Sequence, residues 1–580
     1  MIIFRILHKF RQILSRHQKV RILELAVIMI FGAFLEMLSV SLILPFIKVV
    51  MSPNTVMDNP LIQRVCGLFG IGSAKTFLVF LGLALACIYV FKNIFLLWQM
   101  RTQNRFVSNN RFMVQQRLLH NYLSRPYEYF LGVDSGEVLR VINEDTARTF
   151  TLLSNLLSLF SEMVVSLVLI GTVFVIAPVM TLILAGILLV LLMLIVLVLR
   201  PALTKAGLEN QESGARMNRW MLQAVQGIKE LKIMRKEKFF EDSYMRDGSR
   251  YVKSAYNYLV MSLVPRFMIE GISMSSVLVI ISVMIYRGAE MEVVLPMLSG
   301  IAMAAVRLLP SVNRISESMA AMAYGEPALD KMIENLQSVS AYVDDKGRVE
   351  GEGRIGSLEK GIDLHEVTFR YPKGETDVLK AASMSVRKGM SVGIIGPSGA
   401  GKTTSVDIML GLLRPDKGAV LVDGTDIRLD MDGWLSDIGY IPQQIFMLSG
   451  NIRENVAFGV PAEEVDDEKV WQALKEAMLD EYVSSLPDGL DTELGERGIR
   501  FSGGQRQRIG IARALYGDPS VLFFDEATSA LDNETEAAIM DSINHLHGKK
   551  TLIIIAHRLS TIEGCDAVYK VEGGGITRER

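Results

Sequence analysis

The chain has 580 residues, of which 50% are hydrophobic, and its formal net charge at pH 7 is −2. This length predicts several domains, and the near-neutral charge gives no indication of a nucleic-acid partner. Apolar residues are concentrated in the first half, whereas the second half, from about Gly351, has the composition of a soluble α/β domain. The three cysteines have no spacing typical of a metal site or a disulfide framework, so we expect free thiols.

Residues 1–22 carry basic and apolar side chains at helical spacing, which predicts an amphipathic helix on a membrane surface. A signal peptide is the competing interpretation. The apolar run that follows, about 23–50, is too long for a signal sequence and has no clear cleavage site. A retained membrane span is therefore favoured.

Residues 23–335 contain apolar stretches that are long enough to cross a membrane, and we predict six spans. They cover about 23–50, 76–99, 153–176, 178–200, 258–286 and 292–317. The long segments between them, about 100–152 and 201–257, are rich in Arg and Lys, whereas 51–75 is not. The positive-inside rule then places both termini and both long segments in the cytoplasm.

Several cations lie inside these spans or near their edges, namely Lys92, Arg266, Arg307 and Arg314. Charge at membrane depth usually faces a cavity or a partner, and guanidinium groups donate to phosphate oxygens in pairs. One interpretation is a polar cavity for an anionic, phosphate-bearing headgroup. The other is that Arg266 pairs with Glu270, four residues away, and that Arg314 lies in a cytosolic helix extension. Spacing alone leaves both open.

Residues 336–358 are polar and glycine-rich toward their end, which predicts a linker to a second domain over 359–580. In that domain a G-x-x-x-x-G-K-[ST] sequence follows an apolar strand pattern and precedes a helical one, the context that a phosphate-binding loop requires. The motif and the residue after it are Gly396, Pro397, Ser398, Gly399, Ala400, Gly401, Lys402, Thr403 and Thr404. We expect Lys402 to reach the β- and γ-phosphates and Thr403 to ligate Mg²⁺.

Two further segments suit phosphate chemistry. Asp525 ends a buried-strand pattern and Glu526 follows it, so the first could hold Mg²⁺ through water and the second could polarise the attacking water. A serine and two glycines open a helical run at Ser502, Gly503, Gly504 and Gln505. Such a helix start is either an anion site or an ordinary cap.

Two single residues stand at strand ends. His557 follows an apolar strand and Tyr371 follows an alternating one. Each has a structural interpretation, as a strand-end histidine or a core aromatic. Each also has a functional one, as a contact to the γ-phosphate or a ring stacked on adenine.

Taken together, these motifs resemble those of ATP-binding cassette (ABC) transporters, and the resemblance covers nearly the whole chain. Six spans followed by a nucleotide-binding domain is similar to the exporter type. The implied fold is an α-helical transmembrane domain of six spans fused to an α/β P-loop nucleotide-binding domain. In the family pattern, 396–403 is Walker A, 501–505 is the signature, and Asp525 ends Walker B. Phe501 departs from the usual leucine, which we interpret as a packing change.

The resemblance also implies roles. Glu526 would be the catalytic carboxylate, His557 and Gln443 would sense the γ-phosphate, and Gln443 would join Thr403 at Mg²⁺. Tyr371 would stack on the adenine of ATP. One cassette and one membrane domain make a half-transporter, so the implied assembly is a homodimer in which each ATP lies between one Walker A and the other copy's signature. Segments near 127–133 and 223–229 resemble the coupling helices of the family.

The substrate is a narrower expectation. The sequence around Arg266, Arg307 and Arg314 is similar to spans five and six of lipid-linked oligosaccharide flippases, which move polyprenyl-pyrophosphate-linked glycans across the bacterial inner membrane. Lys92 would be the matching cation of span two. That resemblance implies an inner-membrane protein with a cytoplasmic nucleotide-binding domain. Export of another lipid, a glycolipid, a peptide or a drug is the alternative, and an ATP-gated regulator or channel subunit is an alternative of a different class.

Overall fold

The computed structural model describes residues 2–41, 46, 74–176, 178–286, 291–344, 353–372, 374–495, 498–525, 533–556 and 562–580. They form two compact units. The first comprises Met1–Arg125 and Gly132–Val343, and the second comprises Pro126–Leu131 and Asp344–Arg580. The boundary after residue 343 falls inside the predicted linker 336–358, whose first nine residues continue a long helix.

The described part of the first unit is helical. The helices that precede the first strand of the chain are α1 Ile2–Ile13, α2 Arg16–Ser41, α3 Ala74–Leu123, α4 Tyr127–Phe130, α5 Ser135–Arg140, α6 Thr146–Ile176, α7 Pro178–Gln226, α8 Ile228–Met234, α9 Glu237–Tyr286 and α10 Met291–Asp344. A π-helical turn, Val141–Asp145, joins α5 to α6. Only α4 belongs to the second unit.

The predicted amphipathic segment 1–22 is divided between two helices. The break falls at Ser15, whose N–H donates to Oε1 of Gln18 at 2.7 Å while its hydroxyl accepts from the N–H of Gln18. This reciprocal pair caps the start of α2. Part of the basic face of α1 is bound within the unit rather than free for lipid, because Arg5 and Lys9 both pair with Glu326, a carboxylate that is only 4% exposed.

Four helical segments of the described chain are long and apolar enough to cross a membrane. They are Arg16–Ser39, Lys75–Leu123, Gly136–Val168 and Glu237–Val283. The other two predicted spans, 178–200 and 292–317, lie within the long helices α7 and α10. Most of 42–50, the end of the first predicted span, lies outside the described residues. The count of six spans therefore stays a prediction.

The second unit is an α/β domain with two sheets. Its strands are β1 Gly361–Phe369, β2 Leu379–Arg387, β3 Ser391–Ile395, β4 Lys417–Val422, β5 Thr425–Asp426, β6 Ile438–Ile441, β7 Val521–Asp525, β8 Thr551–Ile555, β9 Ala567–Glu572 and β10 Gly575–Arg578. Its later helices are α11 Lys402–Met409, α12 Met431–Ser436, α13 Ile452–Val456, α14 Asp467–Glu476, α15 Asp480–Ser485, α16 Gly503–Leu515 and α17 Asn533–Leu546.

The larger sheet has the strand order β10-β9-β3-β8-β7-β6, and all neighbours are parallel except β10 and β9. Strands β7 and β8 are buried throughout, which is typical of central parallel strands covered on both faces. The smaller sheet, β2-β1-β4-β5, is antiparallel. Because parallel strands end at the same edge, the carboxyl ends of β3, β6 and β7 lie along one side of the domain.

Candidate functional site

The candidate nucleotide site lies at the carboxyl edge of the larger sheet. Ile394 of β3 and Asp525 of β7 both pair with Ile555 of β8, so the three strands end at nearly the same level. The predicted phosphate-binding loop follows β3 and leads into α11. The edge of an open parallel sheet is the usual place for a nucleotide in such folds.

The phosphate-binding loop, residues 396–401, begins with a backbone conformation that only glycine can adopt. Gly396 has φ +148°, and a Cβ there would lie 2.3 Å from the carbonyl oxygen of Val571. Lys402 is 5% exposed, and its ammonium donates to the carbonyls of Gly396 at 2.9 Å and Pro397 at 3.1 Å. The lysine charge is thus held inside the loop where phosphates would bind.

Tyr371 lies against the same loop and helix. Its hydroxyl and that of Thr404 are hydrogen-bonded at 3.1 Å, and its ring meets Phe369 edge-on. Thr404 is buried, whereas Thr403, at the start of α11, has an exposed side chain. Tyr371 therefore contacts the first turn of α11, and its role at adenine stays a prediction.

A pair of carboxylates lies beneath the loop. Asp407 of α11 and Asp525 at the end of β7 are both buried, with Asp525 8% exposed. Burial, followed by the charge of Asp525, raises the pKa of Asp407 to about 6. Burial, then the charges of Asp525 and Asp407, also raises the pKa of Tyr440, which hydrogen-bonds Asp525. Sequence analysis missed Asp407 and Tyr440. The available signal was one acidic residue among the apolar positions of α11.

The short helix α4 belongs to this unit. The backbone N–H of Arg414 donates to Oε1 of Glu128 at 3.0 Å. Burial, then the charge of Asp407 and the hydroxyl of Tyr371, raises the pKa of Tyr127. Part of the predicted coupling segment 127–133 therefore contacts the elements that carry the phosphate-binding loop.

The signature segment opens α16 with a complete capping box. The hydroxyl of Ser502 accepts from the N–H of Gln505 at 3.2 Å, and the N–H of Ser502 donates to Oε1 of Gln505 at 2.8 Å. Gly503 and Gly504 form the first turn. Phe501 is buried and meets Tyr482 edge-on, which fits its interpretation as a packing residue.

The predicted catalytic residues are Glu526, His557 and Gln443. Glu526 and His557 lie outside the described residues. Gln443 follows β6 at the same edge of the sheet and its side chain is exposed.

The predicted cations of the first unit do not share one site among the side chains that the structure describes. Lys92 is buried, with its ammonium 5.2 Å from the ring centroid of Tyr89. Arg266 is exposed, and nothing is described for the side chain of Arg307. Arg314 pairs with Glu162 at 2.6 Å.

Arg314 lines a cavity of about 690 Å³ between α6, α9 and α10. Its charged and aromatic lining comprises Arg148, Glu162, Arg314, Glu317, Tyr258 and Tyr324. The two tyrosine rings are stacked with centroids 4.1 Å apart. Sequence analysis missed Arg148, Glu317 and both tyrosines, because no local motif marks residues that meet only through packing of three helices.

Comparison with known proteins agrees with this architecture. The family model of the ABC transporter transmembrane region matches residues 22–304, and the ABC transporter model matches residues 379–529. A multidrug resistance ABC transporter ATP-binding and permease protein of Lactococcus lactis is 30% identical over 81% of this chain and 78% of its own. The leukotoxin translocation ATP-binding protein LktB of Mannheimia glucosida is 29% identical over 96% of this chain and 76% of its own.

Two further comparisons are with an uncharacterized relative and with a solved structure. An uncharacterized ABC transporter ATP-binding protein of Bacillus subtilis, YwjA, is 40% identical over 39% of each chain. The structure of a bacterial Atm1-family ABC exporter with ATP bound shares the fold, with a TM-score of 0.74, 22% identity, and coverage of 97% of this chain and 95% of that one.

A helical membrane unit joined to an α/β domain with a phosphate-binding loop defines a membrane transporter of the exporter type, powered by ATP. The chain belongs to the ABC transporter family, and it is an ATPase coupled to transmembrane transport. These two expectations from the sequence are confirmed. The relatives with named cargo are a drug transporter and a toxin transporter, so the resemblance to lipid-linked oligosaccharide flippases stays a prediction.

Proposed function

We propose that this half-transporter works as a homodimer in the inner membrane, with cytoplasmic cassettes, and exports an amphiphilic molecule. The exporter fold and the relatives named for drugs and toxins support this class of substrate. The observation that carries it is the cavity of about 690 Å³ in the membrane unit. The cavity offers charged groups and a stacked tyrosine pair together, and its volume suits a small amphiphile.

ATP fits the phosphate-binding loop. The ammonium of Lys402 already lies among loop carbonyls, and β- and γ-phosphate oxygens are stronger acceptors that would draw it outward. The amides of the loop and the start of α11 would hold the same phosphates. We assign adenine stacking to Tyr371. Its hydroxyl would give up the hydrogen bond to Thr404, and its ring would stack on the base.

Mg²⁺ fits the neighbouring oxygen ligands. Thr403 exposes its hydroxyl at the start of α11, and the buried carboxylates Asp407 and Asp525 supply negative charge that a cation would relieve. The ion would neutralise charge on the phosphates. We assign Thr403 and Gln443 as its ligands, with Asp525 acting through water. Glu526 would polarise the attacking water, and His557 and Gln443 would sense the γ-phosphate.

The signature of a second copy would complete each ATP site. The capping box of Ser502 and Gln505 holds the amides of Gly503 and Gly504 at the start of α16. A helix start with its amides oriented in this way favours an anion. Two copies of the chain would supply two such sites, so a homodimer has two equivalent ATPase centres.

The charges that line the cavity narrow the class of substrate. The cavity has two arginines, Arg148 and Arg314, against two carboxylates, Glu162 and Glu317. This balance favours an amphiphile of low net charge. A polyprenyl-pyrophosphate-linked oligosaccharide requires uncompensated cations, and Arg314 is already paired with Glu162. That lipid-linked oligosaccharide is the narrower candidate, and it predicts that Arg314 exchanges Glu162 for phosphate.

Transport by the purified protein in lipid vesicles tests the proposal. Fluorescent amphiphiles of neutral, cationic and anionic type, and a polyprenyl-pyrophosphate glycan, would be offered with ATP to wild type, Glu526→Gln and Arg314→Ala. We expect ATP-dependent movement of the low-charge probes, abolished in Glu526→Gln and reduced in Arg314→Ala. Arg266→Ala is the matched control, since Arg266 does not line the cavity.

The outcomes separate the alternatives. Stimulation by the glycan alone, lost in Arg314→Ala, would replace our substrate class with the flippase reaction. ATP turnover without movement of any probe would favour the regulator or channel alternative. A charge reversal, Arg314→Glu with Glu162→Arg, restores activity if the pair acts only to stabilise the helices, whereas a role in binding leaves the reversed pair impaired.

A further inference from the structure

A second cavity in the membrane unit, of about 720 Å³, lies between the start of α2 and the later part of α3. We call it the α2–α3 groove. Its lining includes three arginines, Arg21, Arg101 and Arg105, and three largely apolar residues, Leu25, Ile28 and Trp98. None of these residues belongs to the nucleotide site or to the cavity that contains Arg314.

We propose that the α2–α3 groove binds the headgroup of an anionic phospholipid from the cytoplasmic leaflet. The first reason is charge. Three arginines face one carboxylate, Glu24, in the lining. Within the described part of the chain none of these arginines has a carboxylate within 4.0 Å, in contrast to Arg5 and Arg314. Guanidinium groups without a protein partner are suited to bidentate binding of a phosphate.

The second reason is depth. Both helices pass from basic to apolar residues at the groove: in α2 after Arg21 and Glu24, and in α3 between Leu97 and Arg101. Leu23 and Leu97 are each 68% exposed, as expected for side chains that face acyl chains. Trp98 is half exposed at the transition, where tryptophan marks a membrane interface. The positive-inside rule assigns this end of the spans to the cytoplasmic leaflet.

The third reason is that the groove has a fixed floor. Gln18, which is buried, donates to Oδ1 of Asn110 at 2.5 Å, and Asn110 donates to the carbonyl of Phe106 at 2.6 Å. The first bond joins α2 to α3, and the second fixes the side chain of Asn110 on α3. Basic pockets between membrane helices on the cytoplasmic side are the typical sites of anionic lipid headgroups.

Quenching of tryptophan fluorescence by brominated lipids measures occupancy of the groove directly. The full-length protein would be reconstituted in phosphatidylcholine, with brominated phosphatidylglycerol or brominated phosphatidylcholine as the quencher. The difference between wild type and Trp98→Phe isolates the signal of Trp98. We expect phosphatidylglycerol to be preferred over phosphatidylcholine at Trp98 by at least about fivefold, the contribution of a single basic residue near a membrane surface.

The matched variants remove equal charge. Arg101→Gln/Arg105→Gln should abolish the preference, whereas Arg111→Gln/Arg250→Gln, outside the groove, should keep it. If the double variant fails to fold, the single variant Arg21→Gln should still lower the preference severalfold. Equal quenching by both lipids in wild type would overturn the proposal, as would a preference that survives loss of the groove arginines. Loss of the preference in millimolar inorganic phosphate at constant ionic strength would assign the site to free phosphate instead.

Discussion

The backbone N–H of Arg414 donates to the carboxylate of Glu128 at 3.0 Å, across 286 positions of sequence. Glu128 lies in α4, which follows the long membrane-unit helix α3 in the chain but packs within the cassette. Arg414 lies just beyond α11, whose first residue is Lys402. This hydrogen bond therefore joins the segment between two membrane-unit helices to the segment that follows the helix of the phosphate-binding loop.

We expect Glu128→Ala to uncouple transport from ATP hydrolysis. A hydrogen bond to a charged group contributes about 1.5–3 kcal/mol, so its loss should weaken docking of α4 by roughly ten- to a hundredfold. The measurement is the number of substrate molecules moved per ATP hydrolysed, which should fall while basal hydrolysis stays near wild type. Glu128→Gln keeps an acceptor and should give an intermediate ratio. An unchanged ratio in the alanine variant would contradict this role.

Two glycines of the phosphate-binding loop give a matched pair. Gly396→Ala would drive a Cβ against the carbonyl of Val571, 2.3 Å away, whereas Gly399→Ala meets nothing within 4 Å. Both have positive φ, so each alanine incurs about 1–2 kcal/mol of backbone strain, and only Gly396→Ala adds a collision with backbone. We expect ATP affinity to fall more than tenfold further in Gly396→Ala. Fluorescent nucleotide titration measures the ATP affinities. Equal affinities in the two variants would show that the backbone relieves the contact with Val571 without loss of binding.

The sequence was sufficient for features that are local in the chain. The strand, loop and helix around Lys402 and the cap at Ser502 are each specified within about fifteen neighbouring residues. The bond between Glu128 and Arg414, the proximity of Asp407 to Asp525 and the pairing of Arg314 with Glu162 depend instead on how distant elements pack. Periodicity identified a basic face on α1 but could not indicate that Glu326 neutralises part of it.

Asp407→Asn should stabilise the nucleotide-free cassette at neutral pH. Burial and the neighbouring Asp525 raise the pKa of Asp407 to about 6, above its unfolded value of 3.8. Because the pKa is raised in the folded state, the contribution of Asp407 to the free energy of unfolding is most favourable below pH 3.8. That contribution is lost as the pH rises through about 6. At pH 7 the ionised Asp407 should therefore lower the free energy of unfolding by about 1–3 kcal/mol.

Hydrogen exchange of α11 measures this effect locally, with chelator present to keep the site free of divalent cations. In wild type, protection should fall between pH 4 and pH 6.5 after correction for intrinsic exchange, over the interval given by the two pKa values. In Asp407→Asn the protection should be higher at pH 7 and flat across that interval. The same pH dependence in both proteins would assign the titration to another group.

Arg513 should hold the segment after Gln443 against the signature helix. Its guanidinium donates to the carbonyls of Asn455 and Phe446 at 2.8 and 2.7 Å, and to Oδ1 of Asn455 at 3.0 Å. It also lies over the ring of Phe458, 4.6 Å from the centroid. Burial lowers the pKa of Arg513.

Arg513→Met leaves the carbonyls of Asn455 and Phe446 without this donor. It should lower the local stability of this segment by about 2–3 kcal/mol. Amide exchange in residues 446–458 should then be about 30- to 150-fold faster, because local opening has become easier by that free energy. Arg508→Met, on the same helix, removes one bond to the carbonyl of Met478 and should leave 446–458 protected. Equal protection of this segment in wild type and Arg513→Met would mean that the apolar contacts of α13 with α16 hold it without the guanidinium.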